Sequence, residues 1–191
     1  MPKKIQKKPS IIRISTKTGD AGETGLANGE RLSKASPLFE IIGTLDELNS
    51  WLGLVVVGIP ETDKQRKIVY AIQNTLFVVG AELAKSPKAA LTPKDLRLIE
   101  QQSEQLQLSM ADNWHSKFLL PGGTKNGAHC DIARTVSRRL ERVLVSYHHI
   151  YPVRSLILQY INRLSDYLYV LRCYLNEQAG YAEQEFHVKE A

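Results

Sequence analysis

The chain has 191 residues, of which 43% are hydrophobic and 24% are charged, and a single domain of this length can bury a substantial core. That composition excludes disordered, collagen-like and membrane-embedded chains. Its formal net charge of +5 favours an anionic partner without identifying one.

The first ten residues differ in composition from the rest of the chain. They carry four lysines and no acid, and we interpret residues 1–10 as a basic, flexible tail rather than a nucleic-acid-binding arm. We expect residues 11–191 to form one domain. Cys130 and Cys173 lack disulfide or metal-ligand spacing, and no secretory segment is recognisable, so a cytoplasmic location is expected.

Residues 11–33 lack helical periodicity. They begin with β-branched residues and contain four glycines, which predicts a loop or small hairpin. Residues 16–25 combine glycine, hydroxyl and lysine side chains, as in loops whose backbone amides bind phosphate. The Walker A pattern is absent. An ordinary turn is the alternative interpretation.

Apolar residues at helical spacing occupy the remainder of the chain. Five helices are predicted, at residues 38–58, 63–85, 93–110, 126–149 and 153–177, with prolines at their starts or in the connections. Short connections favour antiparallel neighbours, so the expected fold is all-α, a five-helix up-and-down bundle. The longest apolar run, residues 52–59, is far short of the ~20 residues of a membrane span, and none is expected.

Residues 43–49, GTLDELN, have the pattern of a helix start. Thr44 and Glu47 have the spacing of a capping box. Asp46 would then be a first-turn acid, which the helix dipole also favours.

The stretch 118–124, FLLPGGT, leads into a predicted helix with two distinct sides. One side carries the guanidinium face formed by Arg134, Arg138 and Arg142, with Glu141 among them. The other is apolar and is formed by Ile132, Val136, Leu140 and Val143. The face is either a polyphosphate site, because guanidinium donates paired hydrogen bonds to phosphate, or a basic surface ion-paired to neighbouring helices.

A polar stripe on the last predicted helix lies beside its apolar stripe. Asn162, Asp166 and Tyr169 form it, within and just after the sequence YINRLSD at residues 160–166. By itself this stripe is more typical of a satisfied interhelical network than of a site.

Taken together, these motifs resemble the PduO-type ATP:cob(I)alamin adenosyltransferases. The resemblance covers about residues 14–177 and rests on TKTGDAGETG at 16–25, GTLDELN at 43–49, FLLPGG at 118–123, ARTVSRRLER at 133–142 and YINRLSD. It implies a homotrimer in which ATP, as its Mg²⁺ complex, meets the corrinoid at each subunit interface.

The resemblance also implies roles for individual residues. The ATP-binding residues are Thr16, Lys17, Thr18, Gly19, Thr24, Gly25, Lys34, Arg138, Arg139, Leu140, Glu141, Arg142 and Asn162. Asp46 and Arg134 would pair between neighbouring subunits and, with Phe118 and Arg138, form the catalytic group. Leu140 stands where the family usually has a smaller residue, and because it lies on the apolar side we expect altered packing rather than altered chemistry.

Phe118 corresponds to the family's aromatic residue at the corrinoid. It would displace the lower axial ligand and favour four-coordinate cob(II)alamin, which a reductase partner converts to cob(I)alamin. His129 is interpreted as a helix-start or interface residue rather than a cobalt ligand. Two other functions remain as alternatives, a nucleotide sensor without turnover and, more weakly, a nucleic-acid-binding bundle.

Overall fold

The computed structural model describes residues 15, 17–112, 114 and 118–188. The basic tail and Thr16 lie outside the described residues. A two-stranded antiparallel hairpin precedes five helices, and the elements are β1 (Glu23–Gly25), β2 (Arg31–Ser33), α1 (Pro37–Gly58), α2 (Lys64–Leu83), α3 (Pro93–Ser109), α4 (Lys125–His148) and α5 (Ser155–Gln178). The predicted hairpin and five-helix fold are confirmed.

Local chemistry explains where the helices begin. At α3, the Thr92 backbone N–H and hydroxyl both donate to Asp95, at 2.8 and 2.7 Å, and Pro93 fills the first helical position. At α4, the Thr124 hydroxyl accepts from the Gly127 N–H at 3.0 Å. These caps satisfy amide groups that have no partner inside the helix.

The capping box predicted at Thr44 is wrong. Helix α1 begins at Pro37, so Thr44 lies two turns inside it, where its hydroxyl donates to the Glu40 carbonyl at 2.7 Å. A hydroxyl in a helix interior commonly makes this bond, four residues back. Asp46 is therefore an exposed residue in the middle of α1, and capping does not explain it.

The helices alternate in direction. Asn49 of α1 and Gln73 of α2 exchange amide-to-carbonyl hydrogen bonds at 3.3 and 3.0 Å, midway along two antiparallel helices. Around the bundle the order is α2, α1, α4, α5, α3. Chain order differs from spatial order because α5 lies between α3 and α4.

Because the helices alternate in direction, each connection between them lies at one of the two ends of the bundle. The first end, where α1 and α5 begin, carries the hairpin: the Ala27 N–H donates to the carbonyl of Ala84, just after α2, at 2.9 Å, and Lys85 pairs with Glu30 at 2.6 Å. The second end carries the loop 118–124, whose Thr124 N–H donates to Asn176 near the end of α5 at 3.0 Å.

Helix α1 is long and apolar enough to span a membrane by length and composition, with a mean hydropathy of 1.3. However, 44% of that stretch is buried, and Leu45, Leu48 and Leu52 belong to the core shared with the other helices. This is the arrangement of a core helix.

Candidate active site

The arginines of α4 differ in whether a carboxylate neutralises them. Arg139 forms an ion pair with Glu47 of α1. Arg138 and Arg142 are exposed, and in the part of the chain that is described neither pairs with an acid; Arg142 Nη1 instead donates to the Arg138 carbonyl at 3.2 Å. Arg139, the ion-paired arginine, lies outside the predicted face, whereas Arg138 and Arg142 of the face are available to an anion.

Arg134 and Asp46 do not pair with each other within one chain. Arg134 is half-buried, and its Nε has no hydrogen-bond partner among the described residues, although the atom is shielded from solvent. Asp46 is exposed on α1. A shielded guanidinium nitrogen without an acceptor is costly, so it favours a partner from beyond the described residues, such as a neighbouring subunit.

Asn162 is part of an interhelical network. Its Nδ2 donates to Glu141 Oε1 at 2.8 Å, and its Oδ1 accepts from Arg163 at 2.7 Å. The network fixes the Glu141 carboxylate among the arginines of α4. The satisfied-network interpretation of Asn162 is confirmed, and it adds a carboxylate held in position beside Arg138 and Arg142.

Leu140 is fully buried, with no exposed surface. The prediction that it packs on the apolar side of α4 is confirmed, and its side chain cannot touch a bound nucleotide in this conformation. Ile132, expected on the same side, is 37% exposed, because the apolar side extends beyond what the neighbouring helices cover.

Two basic residues lie against the predicted phosphate loop. A Cβ built on Gly19 would lie 3.1 Å from Lys34 Nζ, so the ammonium group lies against the loop. Arg31 Nη2 donates to the Thr18 carbonyl at 2.9 Å, a role that the sequence did not reveal. Lys17 adopts a φ of +58°, which turns the chain at the start of the loop. Thr24 and Gly25 lie in β1.

Phe118 is 84% exposed at the second end of the bundle. Its carbonyl accepts from the Phe186 N–H at 2.7 Å, and the Leu120 N–H donates to the Gln184 carbonyl at 2.8 Å. The stretch 118–120 is therefore paired with a C-terminal segment. In this antiparallel register Phe118 and Phe186 are opposite each other, so two exposed aromatic residues share one face.

A buried polar cluster under this loop was missed in the sequence. It consists of Asp131, Arg172, Asn176 and Glu183. Arg172 is 2% exposed; burial would lower its pKa, but the hydrogen bond to Cys173 and the charges of Glu183 and Asp131 outweigh burial and raise it. The available signal was an arginine inside the apolar stripe of α5, between Leu171 and Leu175.

Neither cysteine is suited to nucleophilic chemistry. Cys130 and Cys173 are buried and free, and burial raises the pKa of both thiols. A thiol with a raised pKa supplies little thiolate at neutral pH. His129 lies in the second turn of α4 with its ring 6.3 Å from that of Trp51 on α1, which agrees with its interpretation as a helix-start or interface residue.

The predicted site residues lie at different ends of the bundle. Lys34 and the phosphate loop lie at the first end and Phe118 at the second, with the arginines of α4 between them; α4 has 24 residues and is therefore about 36 Å long. One chain therefore does not bring the phosphate loop and Phe118 together.

The profile of the cobalamin adenosyltransferase family matches residues 14–175. The chain belongs to this family. The match includes the α4 arginines, Asn162, Phe118 and Arg172, and it extends from just before the phosphate loop almost to the end of α5.

Individual members of the cobalamin adenosyltransferase family resemble the chain over most of its length. A cobalamin adenosyltransferase from Cupriavidus metallidurans is 36% identical over 180 residues, which cover 89% of this chain and 91% of that protein. The corrinoid adenosyltransferase PduO of Salmonella typhimurium is 39% identical over 84% of this chain but only 48% of its own length. The human corrinoid adenosyltransferase MMAB is 31% identical over 96% of this chain and 76% of its own.

Solved structures give the same assignment. A variant PduO-type ATP:corrinoid adenosyltransferase from Lactobacillus reuteri, complexed with cobalamin and ATP, superposes with a TM-score of 0.85. Its sequence identity is 28%, and the superposition covers 92% of this chain and all of that one.

Proposed function

We propose that the protein transfers the 5′-deoxyadenosyl group of ATP to the cobalt of cob(I)alamin and releases triphosphate. The observation that carries this proposal is the pair of exposed guanidinium groups, Arg138 and Arg142, in a member of the cobalamin adenosyltransferase family. The Lactobacillus reuteri relatives complexed with cobalamin and ATP support the same substrates.

The reaction needs a nucleophile, an aligned carbon and a stabilised leaving group. The electron pair of cobalt(I) attacks the ribose C5′ atom, and a cobalt–carbon bond forms as the C5′–O bond breaks with its electron pair leaving on triphosphate. No base is required. The protein aligns the two substrates and stabilises charge on the leaving oxygen, for which Arg138, Arg142 and Lys34 are suited.

We propose that Mg²⁺ arrives with ATP as part of the cosubstrate. Within the described ranges, no group of three His, Cys, Asp or Glu side chains could hold a metal ion. Mg²⁺ commonly retains waters and binds through one or two carboxylates together with substrate phosphates. Glu141, held by Asn162 beside the arginines, is the carboxylate closest to this description.

The exposed Phe118 ring is proposed to contact the lower face of the corrinoid. An aromatic ring there replaces the axial donor, which lowers the energy of the cobalt orbital that accepts the electron from a reductase. Cob(II)alamin thereby becomes reducible to cob(I)alamin within the site.

The complete site is proposed to form between subunits of a homotrimer. The phosphate loop of one subunit would meet the α4 arginines of its neighbour, and Asp46 would supply the acceptor that Arg134 Nε lacks among the described residues. Such an arrangement would bring the loop, which lies at the opposite end of its own chain from Phe118, into one site with the α4 arginines of the neighbour. We also propose that the protein is located in the cytoplasm.

Product analysis tests the function. Purified protein with anaerobically reduced cob(I)alamin, ATP and Mg²⁺ should yield adenosylcobalamin and triphosphate in equal amounts. If ATP binds but remains intact and the corrinoid spectrum does not change, the protein is a nucleotide sensor and the proposal is wrong.

A further inference from the structure

Arg172 is a buried cation that touches none of the proposed substrate-binding residues. Its side chain is 2% exposed, and it is among the largest fully buried side chains of the described residues. Burying an unpaired charge costs several kcal/mol or more, so such a residue is tolerated only when its partners are fixed around it.

The partners of Arg172 come from three different segments. Its Nε lies 3.4 Å from Asp131 of α4, and its Nη1 lies 2.6 Å from Glu183, which follows α5. Its Nη2 donates to the carbonyls of Leu120 and Gly122 at 2.8 and 3.3 Å. One guanidinium group therefore ties the Phe118 loop to α4, to α5 and to the C-terminal segment.

The same cluster holds the Phe118 loop at other atoms. The Gly122 N–H donates to Asp131 at 2.7 Å, and Asn176 Nδ2 donates to both Gly122 and Glu183. Glu183 directly precedes the segment 184–186 that pairs with residues 118–120. Arg172 thus anchors both strands of this pairing, through Leu120 on one and Glu183 on the other.

The Phe118 ring depends on this anchoring. Because the ring is 84% exposed, little side-chain packing fixes it, and its position follows from its own backbone. That backbone precedes two glycines with φ of +127° and +98°, a conformation that glycine adopts readily among others, so the surrounding hydrogen bonds select it.

We propose that Arg172 is a positioning residue that sets the place of the Phe118 ring at the corrinoid face by clamping the Leu120 and Gly122 carbonyls to Asp131 and Glu183. The inference rests on the proposed function, in which Phe118 contacts the corrinoid. Arg172 itself touches neither substrate.

The test compares Arg172→Met with Arg154→Met. Arg154 is a matched control, because it also joins a carboxylate, Glu82, to a backbone carbonyl, that of Leu91, but at the opposite end of α5. Each variant is assayed with cob(II)alamin plus a reductase and with chemically reduced cob(I)alamin. Phe118→Ala is assayed beside them, and four-coordinate cob(II)alamin is measured by electron paramagnetic resonance.

We expect Arg172→Met to lower the ratio of the cob(II)alamin rate to the cob(I)alamin rate by about ten- to a hundredfold, since a misplacement of about 1 Å can cost about a hundredfold. The four-coordinate signal should fall in parallel, as in Phe118→Ala. Arg154→Met should leave both unchanged. If Arg172→Met does not fold, Glu183→Gln serves instead, because Glu183 lies beyond α5 and outside the hydrophobic core.

Hydrogen exchange supplies a readout that is independent of the reaction. Amides of residues 118–124 should exchange faster in Arg172→Met and Glu183→Gln but not in Arg154→Met. Unchanged exchange overturns the positioning role whatever the function. Faster exchange with an unchanged rate ratio, while Phe118→Ala alters that ratio, also overturns it. An unaltered ratio in Phe118→Ala refutes the proposed role of Phe118 and this inference with it.

Discussion

At the scale of single residues, the arginines of α4 differ in whether a carboxylate pairs with them. Arg138 and Arg142 point exposed guanidinium groups away from the core, whereas Arg139, one position from Arg138, is neutralised by Glu47. Sequence spacing placed all of these arginines on the same helix, but it could not distinguish the paired one from the available ones. That distinction depends on where Glu47 of α1 lies in space.

Arg138→Ala should lower kcat/KM by about a hundredfold, the usual effect of removing a donor that stabilises a leaving group. The oligomer and the thermal unfolding midpoint should be unchanged, because the side chain is exposed. Steady-state kinetics with cob(I)alamin and ATP measure this. Arg97→Ala, an exposed arginine of α3, is the control and should retain full activity; full activity of Arg138→Ala would contradict the placement of ATP.

Gly123→Ala should destabilise the fold by at least about 2 kcal/mol, because strained backbone conformations cost about 1–3 kcal/mol before any clash. Gly123 has a φ of +98°, and a Cβ there would lie 2.2 Å from Asn176 Nδ2. Urea denaturation measures the free energy of unfolding. Gly80→Ala in α2 is the control, since its Cβ would meet only Leu45 at 3.9 Å and should be neutral or stabilising.

At the scale of elements, α5 is the helix that holds the 118–124 loop at the second end of the bundle. It contacts α3 and α4, and it carries Arg172, Asn176 and four tyrosines whose pKa values are all raised by burial, namely Tyr160, Tyr167, Tyr169 and Tyr174. Helical periodicity predicted this helix well. The polar cluster that joins it to the Phe118 loop was not predicted, because its members are separated by up to 52 positions in the chain, from Asp131 to Glu183.

Stability should fall as pH rises above about 10, the ordinary tyrosine pKa. A raised folded-state pKa means that the unfolded chain loses these protons first, so their contribution to stability is complete below that pH and declines above it. Urea unfolding at pH about 8 and about 10.5 measures the difference.

Tyr167→Phe provides the control for this pH effect. Tyr167 donates to Gln65 at 2.9 Å, so the variant should lose about 1 kcal/mol at neutral pH and show a smaller decline at alkaline pH. An equal decline in both proteins would contradict the assignment of the pH effect to the buried tyrosines.

At the scale of the whole molecule, the separation of the phosphate loop from Phe118, at opposite ends of the bundle, is the decisive feature. Mixed oligomers test whether the site forms between subunits. Lys34→Ala and Arg138→Ala should each be nearly inactive alone, but co-expressed they should recover about a quarter of the wild-type activity. Random assembly of a cyclic trimer gives that fraction of interfaces with both halves intact.

Arg142→Ala co-expressed with Arg138→Ala is the matched control. Both changes lie on α4, so every interface carries one of them, and no activity should return. Failure of the Lys34→Ala and Arg138→Ala mixture to recover activity would contradict an interfacial site.

The sequence alone determined the family, the five helices and the chemical type of the site, because these follow from local motifs and periodicity along the chain. It also placed Leu140 in the core and Asn162 in an interhelical network. The tertiary structure decided that Thr44 lies inside α1, which arginines are free, and that Arg172 supports the Phe118 loop. It also showed that the phosphate loop and Phe118 lie at opposite ends of one chain. Helix direction and the pairing of distant residues depend on tertiary packing, which cannot be read from local sequence patterns.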